Sequence, residues 1–128
     1  MAGQVKFVFA NGSSVFPLVK AGKVKAIAQT GKGRLATLPE ILPMSDTLPG
    51  FEGYDWNGAF VPHGTPAGIV RKLNASLNAA LISPQVSARF AELNVETRQN
   101  TPQEFGDYVE SQMQFWSRIV KDANIKLG

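Results

Sequence analysis

The sequence from Trp56 to Leu73, W-N-G-A-F-V-P-H-G-T-P-A-G-I-V-R-K-L, predicts a short strand that enters a helix through a tight turn. We place the strand at residues 58–61 and the helix at residues 66–82. Thr65 is expected to be the N-cap and Pro66 the first helical residue, the positions that these residue types favour. Apolar residues then recur on one face at helical spacing: Ile69, Val70, Leu73, Leu77, Ala80 and Leu81.

The joint between this strand and this helix is a candidate anion site. A strand that enters a helix so abruptly leaves unpaired backbone N–H groups and the positive end of the helix dipole at the strand's carboxyl edge. That edge is where α/β proteins hold anions. The alternative is an ordinary strand–helix joint that holds a core together and binds nothing.

The segment before this stretch predicts a strand–helix–strand unit with parallel pairing and a right-handed crossover. The strands are expected at residues 5–9 and 23–30, and the helix at residues 14–21. Pro17 is compatible with that helix because it would lie in the first turn, and Gly22 is expected to end the helix in a left-handed conformation. Residues 31–54 hold three prolines and show no sustained periodicity, so they predict a long connection with one helical turn near Met44–Asp46.

The C-terminal part predicts two further helices. Ser83 is expected to cap a helix that starts at Pro84, and Asn94 to end it before a brief strand at residues 95–97. Thr101 and Glu104 have the spacing of a capping box at the start of the last helix. That helix carries an apolar stripe that predicts packing against residues 66–82, with Phe105 and Trp116 among the most buried side chains.

The composition is that of an ordinary soluble globular protein of about one domain. The 128 residues are 44% hydrophobic and 18% charged, and they include no cysteine and one histidine. These counts exclude disulfides, thiol chemistry and a His-rich metal site. No run approaches the ~18 apolar residues of a membrane span, and the start has no signal-peptide pattern. The net charge of +3 comes from scattered basic residues without aromatic neighbours, which does not predict nucleic-acid binding.

No catalytic constellation, metal site or cofactor motif is predicted, and we expect no enzymatic activity. The sequence has no Gly-x-Ser-x-Gly elbow, and its single histidine, His63, lies in a turn. Gly31-Lys32-Gly33 resembles part of a phosphate loop, but the remaining positions of that motif are absent.

Three segments together resemble the substrate-binding proteins of tripartite tricarboxylate transporters, the Bug proteins. Residues 3–9, G-Q-V-K-F-V-F, resemble the family's G-Q-V-D-V-M-F strand. Residues 17–28, P-L-V-K-A-G-K-V-K-A-I-A, resemble its P-L-V-K-A-G-K-L-R-A-L-A unit, and residues 56–66 resemble its W-x-G-x-x-A-P-A-G-T-P segment. Lys6 replaces the usual Asp, His63 a frequent Ala and Asn94 a frequent Gly, and residues 41–48 are shorter than the family's loop.

This resemblance implies an α/β fold that is part of a two-lobed, type II-like periplasmic binding protein. It covers only the C-terminal portion of such a protein, less than half. Residues 1–30 would then belong to the second lobe and residues 55–128 to the first lobe, with residues 31–54 as the crossing between the lobes. The crossing between the lobes would explain why residues 31–54 form a long connection.

The resemblance also implies the function: periplasmic capture of a small carboxylate in the cleft between lobes, and delivery of that solute to a membrane permease. Backbone N–H groups, hydroxyls and ordered water would bind the carboxylate without covalent chemistry or a cofactor. The first lobe would contribute Val61, Pro62, His63, Gly64 and Thr65, and the second lobe Asn11, Ser13 and Ser14. Ser13 and Ser14 as simple N-caps are the alternative.

The rival hypothesis is a structural module that binds no solute and associates with copies of itself. Removing part of a two-lobed protein leaves sheet edges and apolar faces uncovered, and such surfaces associate. We therefore expect a homo-oligomer, a dimer or larger.

Overall fold

The computed structural model describes residues 4–35 and 37–126. This part of the chain contains a 3₁₀ turn at Met44–Asp46 and four α-helices: α1 at Gly12–Lys20, α2 at Ala67–Leu81, α3 at Pro84–Glu92 and α4 at Pro102–Asp122. The chain divides into two compact units. Unit 1 comprises Met1–Phe60 and Ser87–Glu96, and unit 2 comprises Val61–Val86 and Thr97–Gly128.

The strands predicted at residues 5–9, 23–30, 58–61 and 95–97 do not form in the described part of the chain. Its β-type pairings are two isolated bridges, a parallel one between Gln29 and Pro43 and an antiparallel one between Leu35 and Leu38. The predicted strand–helix–strand sheet is therefore wrong here. A strand exists only when a neighbour accepts and donates its backbone hydrogen bonds, and the described residues supply no such neighbour.

Helix α1 starts two residues earlier than predicted, at Gly12 rather than Ser14. Pro17 consequently lies inside the helix rather than in its first turn, and it has no N–H to donate to the carbonyl of Ser13. The end of the helix is confirmed. Gly22 has a φ of +66°, and its N–H donates to the carbonyl of Val19 at 2.9 Å.

Asparagine residues follow the ends of α3 and α4. Asn94 follows α3 with a φ of 53°, and Asn124 follows α4 with a φ of 50°. In both places the next residue donates back into the last turn: Val95 to the carbonyl of Phe90 at 2.9 Å, and Ile125 to that of Val120 at 3.0 Å. The predicted end at Asn94 is confirmed, because asparagine tolerates the left-handed conformation that this hydrogen-bond pattern requires. Pro84 is also confirmed as the first residue of α3.

The capping box at the start of α4 is confirmed. The Glu104 N–H donates to Thr101 Oγ1 at 3.2 Å, and the Thr101 N–H donates to Glu104 Oε2 at 2.8 Å. The backbone and hydroxyl hydrogen bonds from Thr101 favour the charged carboxylate, so they hold the pKa of Glu104 below its ordinary value of 4.5. The N-terminus of α4 is thus occupied by groups of its own chain.

We expect the helicity of α4 to fall on acidification, and Glu104→Gln to remove most of that pH dependence. The folded-state pKa of Glu104 is lowered, so its contribution is fully present above the unfolded-state pKa and is lost as the pH falls through the folded-state value. Circular dichroism between about pH 6 and pH 2 measures this effect. Glu110→Gln, an exposed substitution on the same helix, is the matched control. Unchanged acid sensitivity in Glu104→Gln would contradict this assignment.

In unit 2, helices α2 and α4 are in contact, as predicted, and the predicted face of α2 is half-buried only at Val70 and Leu81. The half-buried positions of α2 are Val70, Asn74, Asn78 and Leu81. Ile69, Leu73 and Leu77, predicted to face inward, are 44–51% exposed. Hydrogen bonds explain this orientation of α2. The side chains of Asn74 and Asn78 both donate to the carbonyl of Asn100, at 2.9 and 2.8 Å. This clamp between Asn74, Asn78 and Asn100 turns α2 towards the loop before α4.

The core is much smaller than predicted. Leu38 and Pro43 are the buried residues among those described, and both lie in the long connection of unit 1. Trp116 is 45% exposed, so its predicted place in the core is wrong; its ring packs edge-on against Phe115 at a centroid distance of 5.3 Å. Phe105 is half-buried. The ordered connection with its helical turn at Met44–Asp46 is confirmed.

Candidate functional site

The turn before α2 is closed by its own backbone and side chain. The N–H of Thr65 donates to the carbonyl of Pro62 at 3.2 Å, and Thr65 Oγ1 donates to the same carbonyl at 2.8 Å. Gly64 has a φ of +82°, the value that the third residue of a type II turn requires. Val61, Pro62, His63 and Gly64 are exposed, and Thr65 is half-buried.

The N-cap of α2 is Pro66, not Thr65 as predicted. Because Thr65 Oγ1 donates to Pro62, the hydroxyl closes the turn instead of accepting from the helix. Pro66 has no side-chain acceptor, so α2 has no side-chain cap. Among the described residues, the N–H groups of Ala67 and Gly68 meet no hydrogen-bond acceptor. A Cβ at Gly68 would meet no atom within 4 Å outside the neighbouring helix backbone, so a side chain fits at this position.

The N-terminus of α1 in unit 1 has the same character. Asn11 is the N-cap but makes no side-chain cap hydrogen bond. The backbone N–H and the hydroxyl of Ser14 both donate to the carbonyl of Asn11, at 3.0 and 2.8 Å. The alternative of Ser13 or Ser14 as N-cap is therefore wrong. The N–H groups of Gly12 and Ser13 meet no acceptor within the described residues.

A small cleft of ≈160 Å³ lies beside α1 in unit 1, and its lining comprises Ser13, Phe16, Pro17, Lys20, Glu92 and Leu93. Its volume is below the ~300 Å³ at which small-molecule sites begin. The cleft is therefore smaller than a typical small-molecule site. The exposed Lys20 in this lining is the last residue of α1, the helix whose N-terminus has no side-chain cap.

The electrostatics of these two helix ends differ from those of α4. Neither α1 nor α2 has an acidic residue in its first turn, whereas α4 has Glu104 there. A helix N-terminus carries roughly +0.5 of an elementary charge and attracts carboxylates. At α4 the carboxylate of Glu104 compensates this partial charge, whereas the first turns of α1 and α2 contain no carboxylate that could do so. The latter two ends can therefore accept an external anion.

The eight predicted site residues fall into both units. Asn11, Ser13 and Ser14 belong to unit 1, and the turn at residues 61–65 belongs to unit 2. Their role in binding stays a prediction. The amides of Gly12, Ala67 and Gly68 were not among the residues predicted from the sequence. The missing signal was the lack of Asp or Glu in the first turns of α1 and α2.

Lys32, in the long connection, forms an ion pair with another residue of that connection. Lys32 Nζ lies 2.8 Å from Glu52 Oε2, and this hydrogen bond raises the pKa of Lys32. Lys32 therefore serves the connection rather than an anion site. The part of the chain that the structure describes contains no cluster of three potential metal ligands. None of its helices has the length and the apolar run needed to cross a membrane.

Comparison with known proteins identifies the family. The model of the "Tripartite tricarboxylate transporter family receptor" matches residues 1–125. The chain is 31% identical over 122 residues to the UPF0065 protein in the tcbD-tcbE intergenic region of Pseudomonas sp. (strain P51), covering 94% of the chain and 36% of that protein. It is 26% identical to Protein BugT of Bordetella pertussis, covering 99% of the chain and 39% of BugT.

Two solved structures share the fold of this chain. The periplasmic binding protein BugD matches with a TM-score of 0.82 and 34% identity. R. palustris Rpa4515, solved with adipate, matches with a TM-score of 0.80 and 28% identity. Each match covers 88% of this chain and 38% of the other. The chain thus spans less than two fifths of each of these four relatives. The motif resemblance is confirmed, and the chain belongs to the tripartite tricarboxylate transporter receptor family.

Proposed function

We propose that this chain forms part of a periplasmic solute-binding protein that captures a small carboxylate and presents it to a membrane permease. The observation that carries the proposal is the state of the two helix ends. The first turns of α1 and α2 each offer two backbone N–H groups without an acceptor in the described residues, and neither has a carboxylate of its own. Such an end binds a carboxylate without a lysine or arginine.

The family relation supports the class of ligand. Rpa4515 was solved with adipate, a dicarboxylate, and it shares the fold of this chain at 28% identity. The binding step is non-covalent: N–H groups and the hydroxyl of Ser13 donate to carboxylate oxygens, and ordered water satisfies the rest. The periplasmic location is proposed on the same relation, since BugD is a periplasmic binding protein. No chemical transformation of the solute is proposed.

An NMR titration of the ¹⁵N-labelled chain with sodium adipate tests the proposal. We expect the amides of Gly12, Ser13, Ala67 and Gly68 to shift with millimolar affinity, because each helix end by itself offers only a few donors. The neutral diamide of adipate at the same ionic strength should leave these amides unmoved. The N-terminus of α4 is an internal control, because Thr101 and Glu104 already occupy it. Equal shifts at α4, or equal shifts with the diamide, would overturn the proposal.

A charge placed in the first turn of α2 should compete with the solute. We expect Gly68→Asp to abolish the adipate-dependent shifts at Ala67, and Gly68→Asn, its neutral isostere, to retain them. A side chain fits at this position, since a Cβ would meet no atom within 4 Å. The aspartate should also stabilise the helix by about 0.3–1 kcal/mol. The two variants are compared in the same titration, and identical binding by both would contradict an anion site at this end.

The second candidate function is that of a self-associating module. It is favoured by the number of large apolar side chains left exposed, including Val5, Phe7, Val8, Phe9 and Ile27. Such surfaces mark interaction sites in soluble proteins. Sedimentation of the chain separates this function from solute binding, because a monodisperse monomer that shows the amide shifts above would leave only the carboxylate proposal.

A further inference from the structure

An asparagine–glycine pair, Asn11-Gly12, lies at the start of α1. Asparagine followed by glycine readily loses its side-chain amide, because glycine has no Cβ to keep the asparagine side chain away from the next backbone nitrogen. Asn11 is exposed, and its side chain makes no cap hydrogen bond. The N–H of Gly12, which reacts with that side chain, has no acceptor within the described residues. Both reacting groups are therefore available.

The hydrogen bonds at the start of α1 favour the reactive form of Gly12. The reaction begins with loss of the Gly12 N–H proton, and the negative charge is then shared between this nitrogen and the carbonyl oxygen of Asn11. That oxygen accepts from the N–H of Ser14 at 3.0 Å, from the N–H of Val15 at 3.1 Å and from Ser14 Oγ at 2.8 Å. The positive end of the helix dipole lies at the same place. These donors and the dipole stabilise the anion, so deprotonation is easier here than in an open chain.

The side chain of Asn11 can reach the Gly12 nitrogen without disturbing α1. Asn11 has an extended ψ of 137°, so its Cα–C bond must rotate before Cγ lies beside that nitrogen. The hydrogen bonds to Asn11 from Ser14 and Val15 all end on its carbonyl oxygen, which lies on the helix side of the rotating bond. On the other side, residues 7–10 make no backbone hydrogen bond within the described part of the chain. The rotation therefore breaks no backbone hydrogen bond of the described residues.

We propose that Asn11 is a modification site, which converts without an enzyme to aspartate or isoaspartate through a cyclic imide with Gly12. The Gly12 nitrogen gives its proton to solvent hydroxide and forms a bond to Cγ of Asn11. The Cγ–Nδ2 bond breaks, and Nδ2 leaves as ammonia with a proton from water. Water then adds to one of the two imide carbonyls, whose bond to nitrogen breaks, and the nitrogen takes up a proton. The amide and water thus become a carboxylate and ammonium, with no oxidation or reduction.

The new carboxylate lies at the N-cap of α1, beside the N–H groups of Gly12 and Ser13. Aspartate is a favoured N-cap, because its oxygen accepts from the first free N–H groups of the helix. The start of α1 then resembles that of α4, where Glu104 compensates the helix dipole. Conversion therefore closes the α1 end to an external carboxylate and leaves the α2 end open, a consequence that rests on the proposed function.

The second asparagine–glycine pair of the chain, Asn57-Gly58, is the internal reference, because it lies outside the helices. Tryptic peptides 7–20 and 35–71 contain one asparagine each, so mass spectrometry after incubation in mildly alkaline buffer measures the two conversions separately. We expect Asn11 to convert at least about 5-fold faster than Asn57 in the folded chain. In urea, where α1 is unfolded, the two rates should be nearly equal.

Ser14→Ala tests the role of the hydrogen bonds to Asn11. It removes the hydroxyl that donates to the Asn11 carbonyl at 2.8 Å, and alanine is compatible with the helix. We expect conversion of Asn11 to slow by about 5-fold, the equivalent of one ordinary hydrogen bond, and conversion of Asn57 to stay unchanged. In urea the substitution should have no effect on either rate.

An NMR titration with sodium adipate measures the consequence for binding. The chain carries Asn57→Gln, so that Asn11 is its one asparagine–glycine pair, and it is compared before and after conversion. We expect the converted chain to lose the adipate-dependent shifts at Gly12 and Ser13 and to keep those at Ala67 and Gly68. Unchanged shifts at Gly12 and Ser13 after conversion would overturn the proposed closure of this end.

The conversion rates decide the modification independently of adipate. Equal rates at Asn11 and Asn57 in the folded chain would overturn the proposal, and so would a difference that persists in urea, because flanking residues would then explain it. A Ser14→Ala chain that converts as fast as the parent would overturn the activation by α1. An unmodified chain without shifts at any of the four amides would instead contradict the proposed function and leave the modification to be judged by its rates.

Discussion

Replacing Asn78 with alanine is expected to lower the free energy of unfolding of unit 2 by about 2–3 kcal/mol. The Asn78 side chain donates to the carbonyl of Asn100 at 2.8 Å and accepts from the N–H of Asn100 at 3.3 Å. It also donates to Asn74 Oδ1 at 3.2 Å. These groups are part-buried, and alanine would leave the N–H of Asn100 without its acceptor and the carbonyl of Asn100 with Asn74 as its remaining side-chain donor. The loop before α4 would then be held to α2 by fewer hydrogen bonds, those of Asn74 with Asn100 and of Gln99 with the carbonyl of Asn78.

Urea denaturation followed through the amide signals of α2 and α4 measures this effect. Ser76→Ala is the matched control, because Ser76 is exposed on the same helix and should change the free energy of unfolding by no more than about 0.5 kcal/mol. Asn74→Ala should fall between the two, since it removes one hydrogen bond to Asn100 and the acceptor for Asn78. Equal effects from Asn78→Ala and Ser76→Ala would show that the clamp does not hold unit 2 together.

The second large effect is expected in unit 1, where Gly31→Ala should destabilise the long connection by about 1–2 kcal/mol. A Cβ at residue 31 would lie 2.9 Å from Tyr54 Cε1 and 3.1 Å from Gln29 Oε1. Tyr54 would have to move, and its hydroxyl now accepts from the N–H of Lys32 at 2.8 Å. The Gly31 N–H also donates to Gln29 Oε1 at 2.7 Å, so two hydrogen bonds are disturbed by one methyl group.

Gly53→Ala is the matched control for this substitution. A Cβ there would lie 3.9 Å from Thr30 Cβ, an ordinary contact, so we expect little change in stability. A double-mutant cycle with Tyr54→Leu tests the cause: without the ring, Gly31→Ala should cost markedly less. Residue-resolved urea denaturation of unit 1 provides the measurement. A full cost of Gly31→Ala in the Tyr54→Leu background would assign the effect to the backbone instead.

The exposed apolar face of α2 and the small core have the same physical cause. Ile69, Leu73 and Leu77 follow the helical period that normally indicates a buried face, yet they are 44–51% exposed. The chain spans less than two fifths of the four relatives named above, and apolar faces that the helical period assigns to burial stay exposed in it. We therefore expect the free energy of unfolding of this chain to depend more on side-chain hydrogen bonds such as Asn78–Asn100 than on apolar packing.

The candidate site was predictable in part. The turn at Pro62–Thr65 forms as its Pro-His-Gly-Thr sequence indicates, because Gly64 adopts the positive φ that the turn needs. The start of α2 was misplaced by one residue. A threonine before a helix can cap the helix or close the preceding turn, and only the folded turn brings Thr65 Oγ1 to the carbonyl of Pro62. The free amides of Ala67 and Gly68 follow from that choice.

The sequence by itself determined the four helices, the ends of α1 and α3, the start of α4 and the family. Gly22 and Asn94 end helices, and Thr101 with Glu104 starts one, through contacts that span at most five residues, so local chemistry suffices. Only the tertiary structure decided which faces are covered and whether strands exist. Strand pairing and burial need partners far along the chain, and residues 5–9 have the composition of a strand but no neighbouring strand among the described residues. Asn78 reaches Asn100, 22 residues away, and so decides the face of α2 that apolar periodicity assigned to Ile69 and Leu73.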